Sequence, residues 1–168
     1  MKKILGALLI GLLSACASQT TQPTAESASA GSAGSAGIAN TSLDPNLNPI
    51  LKDPNNILSK RSVYFDYDSF MVKNEYRTTV QAHAQYLRDN AAAKVFLQGN
   101  ADERGSREYN LALGQKRADS VKSAMTLSGA KDSQIEAVSL GEEKPRATGH
   151  DEASWAENRR TDIRYQGE

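Results

Sequence analysis

The spacing of apolar residues changes repeatedly between a strand period and a helix period in the C-terminal two thirds of the chain. Short segments rich in β-branched and aromatic residues predict four strands, at 62–66, 94–98, 134–140 and 161–165. Helical spacing and helix-boundary residues predict three helices, at 73–89, from 107 to about 128, and at 151–159. Gly99 is expected to close the second strand, and Gly129 the long helix. Strands that alternate with helices predict an α/β (α+β) two-layer sandwich, with one sheet and helices packed on one side.

The same periodicity predicts which side chains face the core. In the first helix these are Tyr76, Val80, Ala84 and Leu87, and in the long helix they are Leu111, Ala118, Val121 and Met125. Tyr64 and Phe65 are neighbours in a strand and point to opposite faces, so one should be buried while the other is available to line a cleft. His83 is expected to be a structural or surface residue, and His150 a turn residue.

The N-terminus has the pattern of an export signal. Lys2 and Lys3 precede residues 4–13, a run with no charged or hydrogen-bonding side chain. As a helix this run would span roughly 15 Å, about half of a ~30 Å hydrocarbon core, so it is too short to be a comfortable membrane span. Residues 13–16, Leu-Ser-Ala-Cys, resemble a bacterial lipobox. The resemblance implies removal of residues 1–15 and lipidation of Cys16, whereas the alternative is an ordinary secretory signal with an incidental cysteine.

Several acyl groups on Cys16 would anchor the protein firmly in a membrane, whereas a single acyl group would bind only marginally. Ala17 stands where Asp would resemble a signal for retention in the inner membrane, so the outer membrane is the expected location, with the folded domain facing the periplasm. Residues 16–56 are rich in Ser, Ala, Gly and Pro and have few large apolar side chains, which predicts a flexible tether. Residues 57–168 are expected to form the folded domain.

The charge balance excludes one class of partner. The chain of 168 residues has 20 basic and 20 acidic side chains, and loss of the two leader lysines would leave a small acidic excess. Such a balance gives no electrostatic reason to expect nucleic-acid binding.

Four motifs resemble those of OmpA-like peptidoglycan-binding domains. They are Leu-Gln-Gly-Asn-Ala-Asp-Glu-Arg-Gly at 97–105, Tyr-Asn-Leu-Ala-Leu-Gly-Gln-Lys-Arg-Ala at 109–118, Gly-Glu-Glu-Lys-Pro at 141–145 and Asn-Arg-Arg at 158–160. The lipobox and the sequence Gly-His-Asp-Glu-Ala at 149–153 are similar to the peptidoglycan-associated lipoprotein branch. Asn100 and Gly114 depart from the pattern, because many relatives have His and Ser there. The resemblance implies one mixed sheet of about four strands.

The resemblance also implies a ligand, the meso-diaminopimelate residue of the peptidoglycan stem peptide. This residue carries an ammonium and a carboxylate on one carbon, so its site needs a fixed anion and a fixed cation. Asp102 is expected to supply the anion and Arg117 the cation, whose planar fork can meet a carboxylate with two hydrogen bonds. Leu113 lies one helical turn before Arg117 and would form an apolar wall.

Three further residues are expected around this site. Asp66 and Arg104 would lie at the rim, and Arg159 would either contact the ligand or brace Asp102. Each assignment has a structural alternative: Asp102 could cap the long helix or pair with Arg117, and Arg104 could belong to a solvated surface pair.

The sequence favours a binding protein over an enzyme. It lacks a free thiol and an HExxH motif, and its two histidines lie far apart, so no cofactor or catalytic metal is expected. A carboxylate pair for glycoside cleavage is left open by the sequence alone. The resemblance implies TolB and TolA as partners and a role in drawing the outer membrane inward during division. The alternative is a structural or assembly lipoprotein of another envelope machine.

Overall fold

The computed structural model describes residues 49–168. The predictions for the leader, for Cys16 and for the chain as far as residue 48 lie outside the described residues. The strands are β1 (Ser62–Tyr64), β2 (Val95–Asn100), β3 (Ile135–Gly141) and β4 (Arg160–Tyr165). The α-helices are α1 (Arg77–Asp89), α2 (Arg107–Leu127) and α3 (Glu152–Asn158). Short 3-10 helices lie at Pro49–Leu51, Ile57–Ser59, Asn74–Tyr76 and Asp132–Gln134.

The four strands form one mixed sheet in the order β1-β4-β2-β3. β4 pairs antiparallel with both β1 and β2, whereas β2 and β3 are parallel and are joined through α2. α2 packs across β2 and β3, and α1 packs against α2, so the helices cover one side of the sheet. The predicted two-layer α/β fold is therefore confirmed.

The core lies between the sheet and the helices. Val95 and Leu97 of β2 are buried beneath Ala118 and Val121 of α2, because alternate residues of a strand face the same side. Phe65 is the core member of the neighbouring pair, and Tyr64 is half-buried on the other face. None of the helices within residues 49–168 is long and apolar enough to cross a bilayer.

His83 is a structural residue of this core. Its Nε2 lies 3.0 Å from the carbonyl oxygen of Lys60, and its Nδ1 lies 2.9 Å from Tyr165 Oη. Because a carbonyl only accepts hydrogen bonds, Nε2 donates to Lys60 and Nδ1 accepts from the Tyr165 hydroxyl. Burial lowers the pKa of His83 to about 4, so this ring is neutral at physiological pH.

The structure corrects two sequence predictions. Leu111 was expected to be buried but is 51% exposed, because it lies at the edge of the face of α2 that packs against the sheet. At this point the backbone of Leu111, rather than its side chain, faces the end of β3, where a Cβ on Gly141 would lie 3.3 Å from Leu111 Cα. Gly99 does not close β2 but lies within it, since the strand continues to Asn100.

The folded region also begins earlier than the predicted residue 57. Leu51 is 5% exposed and belongs to the hydrophobic core. Its carbonyl oxygen accepts a 3.0 Å hydrogen bond from Arg61 Nη2, and the same guanidinium lies 2.9 Å from Glu168 Oε1. β1 is shorter than expected and ends at Tyr64, after which the chain turns to form part of a pocket.

Candidate functional site: a pocket around Asp102

A small pocket lies where the ends of β1 and β2 meet the start of α2. We call it the Asp102 pocket; its volume is about 190 Å³. Eight residues line it: Tyr67, Asp68, Asp102, Arg104, Gly105, Tyr109, Asn110 and Leu113. Ser106 caps α2 by accepting a hydrogen bond from the backbone N–H of Tyr109, which fixes the start of the helix next to the loop that carries Asp102.

Asp102 is the buried anion of this pocket, with a side chain only 6% exposed. Arg104 donates to it twice from the guanidinium, by Nε to Oδ1 at 3.1 Å and by Nη2 to Oδ2 at 2.8 Å. The backbone N–H of Arg104 also donates to Oδ1, and Arg159 Nη1 lies 3.4 Å from Oδ2. Burial favours a higher pKa for the Asp102 carboxyl, but the hydrogen bonds from Arg104 outweigh it and hold the pKa below its ordinary value.

Arg104 is held at the mouth of the pocket by two aromatic rings. Its guanidinium carbon lies 4.2 Å from the ring centre of Tyr67 and 4.1 Å from that of Trp155, so the cation is stacked between them. Arg104 Nη1 also lies 3.6 Å from Glu152 Oε2, at the start of α3. Arg104 is therefore an organised component of the pocket, and its partners are Asp102 and two rings rather than Glu103.

Arg117 lies beneath the pocket and does not line it. It is 0% exposed, and its guanidinium donates to the carbonyl oxygens of Ser69, Asn100 and Asp66 at 2.8, 2.9 and 3.2 Å. Burial lowers its pKa to about 10, so it remains charged at neutral pH. The Arg117 guanidinium was expected to be open to a ligand carboxylate. It instead holds together the two loops that form the pocket.

Arg159 also braces the pocket. Its side chain is 7% exposed, and besides Asp102 it contacts Glu152 Oε1 at 2.6 Å and the carbonyl oxygen of Phe65 at 3.2 Å. Of the two alternatives that the sequence left open, this geometry corresponds to the bracing of Asp102. The neighbouring Arg160 instead pairs with Asp162 in β4 at 2.9 Å.

The remaining two predicted residues have different positions. Leu113 lines the pocket and is 8% exposed, as an apolar wall requires. Asp66 does not line it: its carboxylate is 72% exposed and pairs with Lys73 at 2.7 Å, while its backbone carbonyl accepts from Arg117. Asp66 therefore contributes to the pocket through its backbone.

Sequence reasoning missed Asp68 and Tyr109, which also line the pocket. Tyr109 Oη donates a hydrogen bond to the Asp68 carboxylate. Asp68 has a φ of 51°, a left-handed conformation that Asp tolerates better than most residues. Tyr109 stood within the quoted helix motif and could have been recognised as a polar residue beside the loop, whereas nothing in the spacing around Asp68 indicated its position.

A second cluster lies beside the pocket. Glu103 accepts hydrogen bonds from Trp155 Nε1 at 2.8 Å and pairs with His150 Nδ1 at 2.7 Å. The Trp155 and His150 contacts lower the pKa of Glu103, and the Glu103 contact raises the pKa of His150. Within residues 49–168, no group of three or more His, Cys, Asp or Glu side chains could hold a metal ion.

With this geometry established, comparison with known proteins identifies the family. The profile of the OmpA family matches residues 64–159, which include every residue that lines the pocket and the strands β2 and β3. The chain belongs to the OmpA family. It is 47% identical over 104 residues to the peptidoglycan-associated lipoprotein of Pasteurella multocida, covering 62% of this chain and 69% of that protein. It is 41% identical over 135 residues to the peptidoglycan-associated lipoprotein of Pseudomonas aeruginosa, covering 75% of this chain and 80% of that protein.

The solved structures agree with this placement. The crystal structure of the peptidoglycan-associated lipoprotein from Burkholderia pseudomallei is 60% identical in sequence, with a TM-score of 0.69, and the match covers 70% of this chain and 99% of that one. The C-terminal domain of Helicobacter pylori MotB shares the fold alone, at 16% identity and a TM-score of 0.57 over 62% of this chain and 81% of that one. The suspected membership of the peptidoglycan-associated lipoprotein branch is thereby confirmed.

Proposed function

We propose that this chain is an envelope lipoprotein that binds peptidoglycan non-covalently, through the meso-diaminopimelate residue of the stem peptide. The observation that carries the proposal is the Asp102 pocket, where a buried carboxylate and an arginine fork lie together in a member of the OmpA family. Two of the similar proteins, from Pasteurella multocida and Burkholderia pseudomallei, are named as peptidoglycan-associated lipoproteins, which supports the wall as the target.

The chemistry of the pocket suits a small zwitterionic group. Asp102 offers a fixed negative charge to the ligand ammonium, and Arg104 offers a planar fork to the ligand carboxylate. Leu113 and the ring of Tyr109 supply the walls, and the volume of about 190 Å³ suits a single amino-acid residue. In this arrangement Arg117 supplies positive charge from below and fixes the loops.

Catalysis has no support in this pocket. An acid for glycoside cleavage needs a raised pKa, but the carboxyl pKa values of Asp102 and Glu103 are both lowered by their hydrogen-bond partners. Asp102 Oδ2 moreover pairs with Arg104 at 2.8 Å and with Arg159 at 3.4 Å, which favours the ionised carboxylate over a proton donor. Zymography on purified sacculi checks this point, since a cleared zone would contradict a purely binding role.

The location of the protein is proposed from its N-terminal sequence. Acyl chains on Cys16 would hold the chain in the outer membrane, and residues 16–48 would tether the folded domain that faces the periplasm. Fully extended, this tether could reach on the order of 100 Å. The domain could therefore bind the wall while the lipids stay in the membrane.

The proposed partners are TolB and TolA, with a role in drawing the outer membrane inward during division. The alternative is a structural or assembly lipoprotein of another envelope machine that uses the wall only for placement. Capture of TolB by the full-length chain from a membrane extract would support the first, whereas normal wall binding without TolB capture would favour the second.

The direct test of wall binding is calorimetric titration of the full-length chain, in detergent, with a tetrapeptide that contains meso-diaminopimelate. Saturable binding with one site per chain is expected. The absence of binding to both this peptide and whole sacculi would overturn the proposed function.

A further inference from the structure

A groove between α1 and α2 exposes apolar surface on the helical side of the domain. We call it the helix groove; its volume is about 750 Å³, and it shares no lining residue with the Asp102 pocket. Phe70, Met71 and Leu127 line it and are 47%, 76% and 89% exposed, and Ala124 adds further apolar surface. Contiguous apolar surface of this kind marks a place where another segment or molecule binds.

The helix groove also carries a small excess of positive charge. Arg77 and Lys116 line it, and the Lys116 ammonium lies 5.5 Å from the ring centre of Phe70. Within residues 49–168 neither cation has a carboxylate partner. Asp119, the acidic member of the described lining, already accepts a 3.0 Å hydrogen bond from Gln115. An apolar segment that carries a carboxylate would therefore complement the groove.

The sequence before residue 49 contains such a segment. Residues 17–48 have only three large apolar side chains, and these come near the end of the stretch, at Ile38, Leu43 and Leu47. Asp44 follows Leu43, and the whole stretch contains no Lys or Arg. Pro45 favours extended backbone at Asp44, which lowers the conformational entropy that binding would cost.

The described part of the chain begins beside α1, on the flank of this helix that faces away from the groove. The 3-10 helix at Pro49–Leu51 contacts the one at Ile57–Ser59, which packs against α1. On this flank His83 of α1 contacts the carbonyl oxygen of Lys60. Gln81, which lines the groove, comes two residues before His83 and so points to nearly the opposite side of the helix.

The segment is long enough to pass from this point to the groove. A helix with its side chains is about 10–12 Å across. The six residues from Leu43 to Asn48 can span about 20 Å when extended. Leu43 can therefore cross α1 and enter the groove while Pro49 stays in place.

We propose that residues 38–47 of this chain dock in the helix groove. Leu43 would cover the exposed side chains of Met71 and Leu127, and Asp44 would lie beside the cations at the rim. The attraction is intramolecular, so even a weak contact is favoured by the high effective concentration of the attached segment. The inference is independent of peptidoglycan binding and of the Asp102 pocket.

Docking would give the tether two lengths. While they are docked, residues 38–48 add nothing to its reach, and after release they add up to about 35 Å. A pull from the membrane would release this segment before it loads β1, because a few side chains in an open groove resist less than a strand in a sheet. The groove would thus store slack between the anchor and the domain.

Met71 provides a native reporter for the test. Besides Met1 the chain has two methionines, Met71 in the groove and Met125 in the core, which are 76% and 0% exposed in residues 49–168 alone. Hydrogen peroxide oxidises an accessible thioether to the sulfoxide. The rate at Met71 is followed by mass spectrometry in the full-length lipidated chain, held in phospholipid nanodiscs so that no free detergent can occupy the groove.

The double variant Leu43→Ser, Leu47→Ser should be oxidised at Met71 about three to ten times faster than the wild type, because the segment that covers the thioether loses its apolar contacts. Ala33→Ser, Ala36→Ser is the matched control, since it changes two positions of the tether that carry no large apolar side chain. It should be oxidised at the wild-type rate. Met125 should stay unoxidised in every variant, which verifies that the core is intact.

A pair of engineered thiols locates the docked segment. Leu43→Cys combined with Leu127→Cys should form an internal disulfide about ten times faster, in one glutathione buffer, than Leu43→Cys combined with Leu111→Cys. Leu111 is the matched control position, because it is also exposed on α2 but does not line the groove.

Three results would overturn the proposal. The first is equal oxidation of Met71 in the wild type and in Leu43→Ser, Leu47→Ser. The second is protection of Met71 that grows with protein concentration, which would identify a second copy of the chain as the occupant. The third is equal rates of disulfide formation at positions 127 and 111. None of these results bears on wall binding, which is tested separately by titration with the stem peptide.

Discussion

Gly99 in β2 and Gly114 in α2 face each other so closely that a Cβ added to Gly99 would lie 1.9 Å from the carbonyl oxygen of Gly114. A Cβ on Gly114 would in turn lie 2.8 Å from the carbonyl oxygen of Gly99 and 2.4 Å from Ser139 Oγ. The long helix therefore rests directly on the backbone of the sheet at this point. This contact places the start of α2 beside the end of β2, which is where the pocket forms.

Gly99→Ala should therefore destabilise the domain strongly. The new methyl group meets backbone on the other side and can be accommodated only by separating α2 from β2, which should cost about 3 kcal/mol or more. Urea unfolding followed by circular dichroism measures the change. Gly149→Ala is the matched control, because the Cβ there meets the Ser154 hydroxyl group, which can rotate. Equal effects of the two substitutions would contradict the close backbone contact.

Asp102→Asn should weaken binding of the diaminopimelate peptide about 30- to 3,000-fold. The substitution keeps the shape and removes the charge, so a bound ammonium loses its anion, at a cost of about 2–5 kcal/mol. Calorimetric titration of the full-length chain measures the affinity. Asp89→Asn, at an exposed carboxylate at the end of α1, should bind like the wild type. A folded Asp102→Asn with wild-type affinity would exclude Asp102 as the ligand anion.

Arg117→Lys should lower stability by about 2–4 kcal/mol, because an ammonium cannot reach all three carbonyls that the guanidinium now joins. The resemblance alone implied that this substitution would act on ligand binding; the buried geometry predicts that it acts first on the fold. Denaturant unfolding measures the effect, with Arg107→Lys as the exposed control. Unchanged stability together with weakened binding would restore Arg117 as a direct ligand contact.

His83 should make the domain less stable as the pH falls. The unfolded chain takes up this proton near pH 6.5, whereas the folded chain does so only near its lowered pKa of about 4. Between these values the unfolded state binds more protons, so the free energy of unfolding falls by about 1.4 kcal/mol per pH unit, or about 3 kcal/mol in total. His83→Gln removes this term and should show a shallower slope between pH 6.5 and 4. Parallel slopes for the two proteins would show that His83 does not contribute.

Cys16→Ser should abolish labelling by radioactive palmitate and release the chain from the membrane fraction. The expectation follows from the lipobox at residues 13–16, and the sacculi are digested with a muramidase first so that wall binding cannot retain the protein. Ala17→Ser is the control, since it alters the next residue and leaves the thiol in place. A Cys16→Ser protein that still pellets with membranes would identify the leader as an uncleaved anchor.

The fold was predictable from the sequence because its signals are local and periodic. Val95 and Leu97 alternate in a strand, and Val121 and Met125 recur in a helix, so their burial follows from spacing alone. The predicted burial of Leu111 was wrong because residue spacing fixes the direction of a side chain but not where the sheet that would cover it ends. Gly99 was misread because a glycine that permits close backbone contact has the same appearance in a sequence as one that ends a strand.

The pocket was predictable only in part, for a related reason. Motifs identified Asp102 and Leu113, which do lie at the pocket. The partners of an arginine are not encoded by its spacing, however: Arg104 contacts Tyr67 and Trp155, which lie 37 and 51 residues away along the chain. Whether the fork of Arg117 is open or occupied likewise depends on where two distant loops place their carbonyls.

The orientation of β1 and β2 has a mechanical consequence. Both strands begin at the end of the domain where Arg61 contacts Leu51 and Glu168. Both end at the opposite end of the domain, which carries the Asp102 pocket. A pull between the tether and a bound wall would therefore act along the strands. Hydrogen bonds between antiparallel strands lie across this direction, so the ladders that join β4 to β1 and to β2 would be loaded in shear and would share the force. Such a geometry suits a domain that has to stay folded while it is under tension between two surfaces.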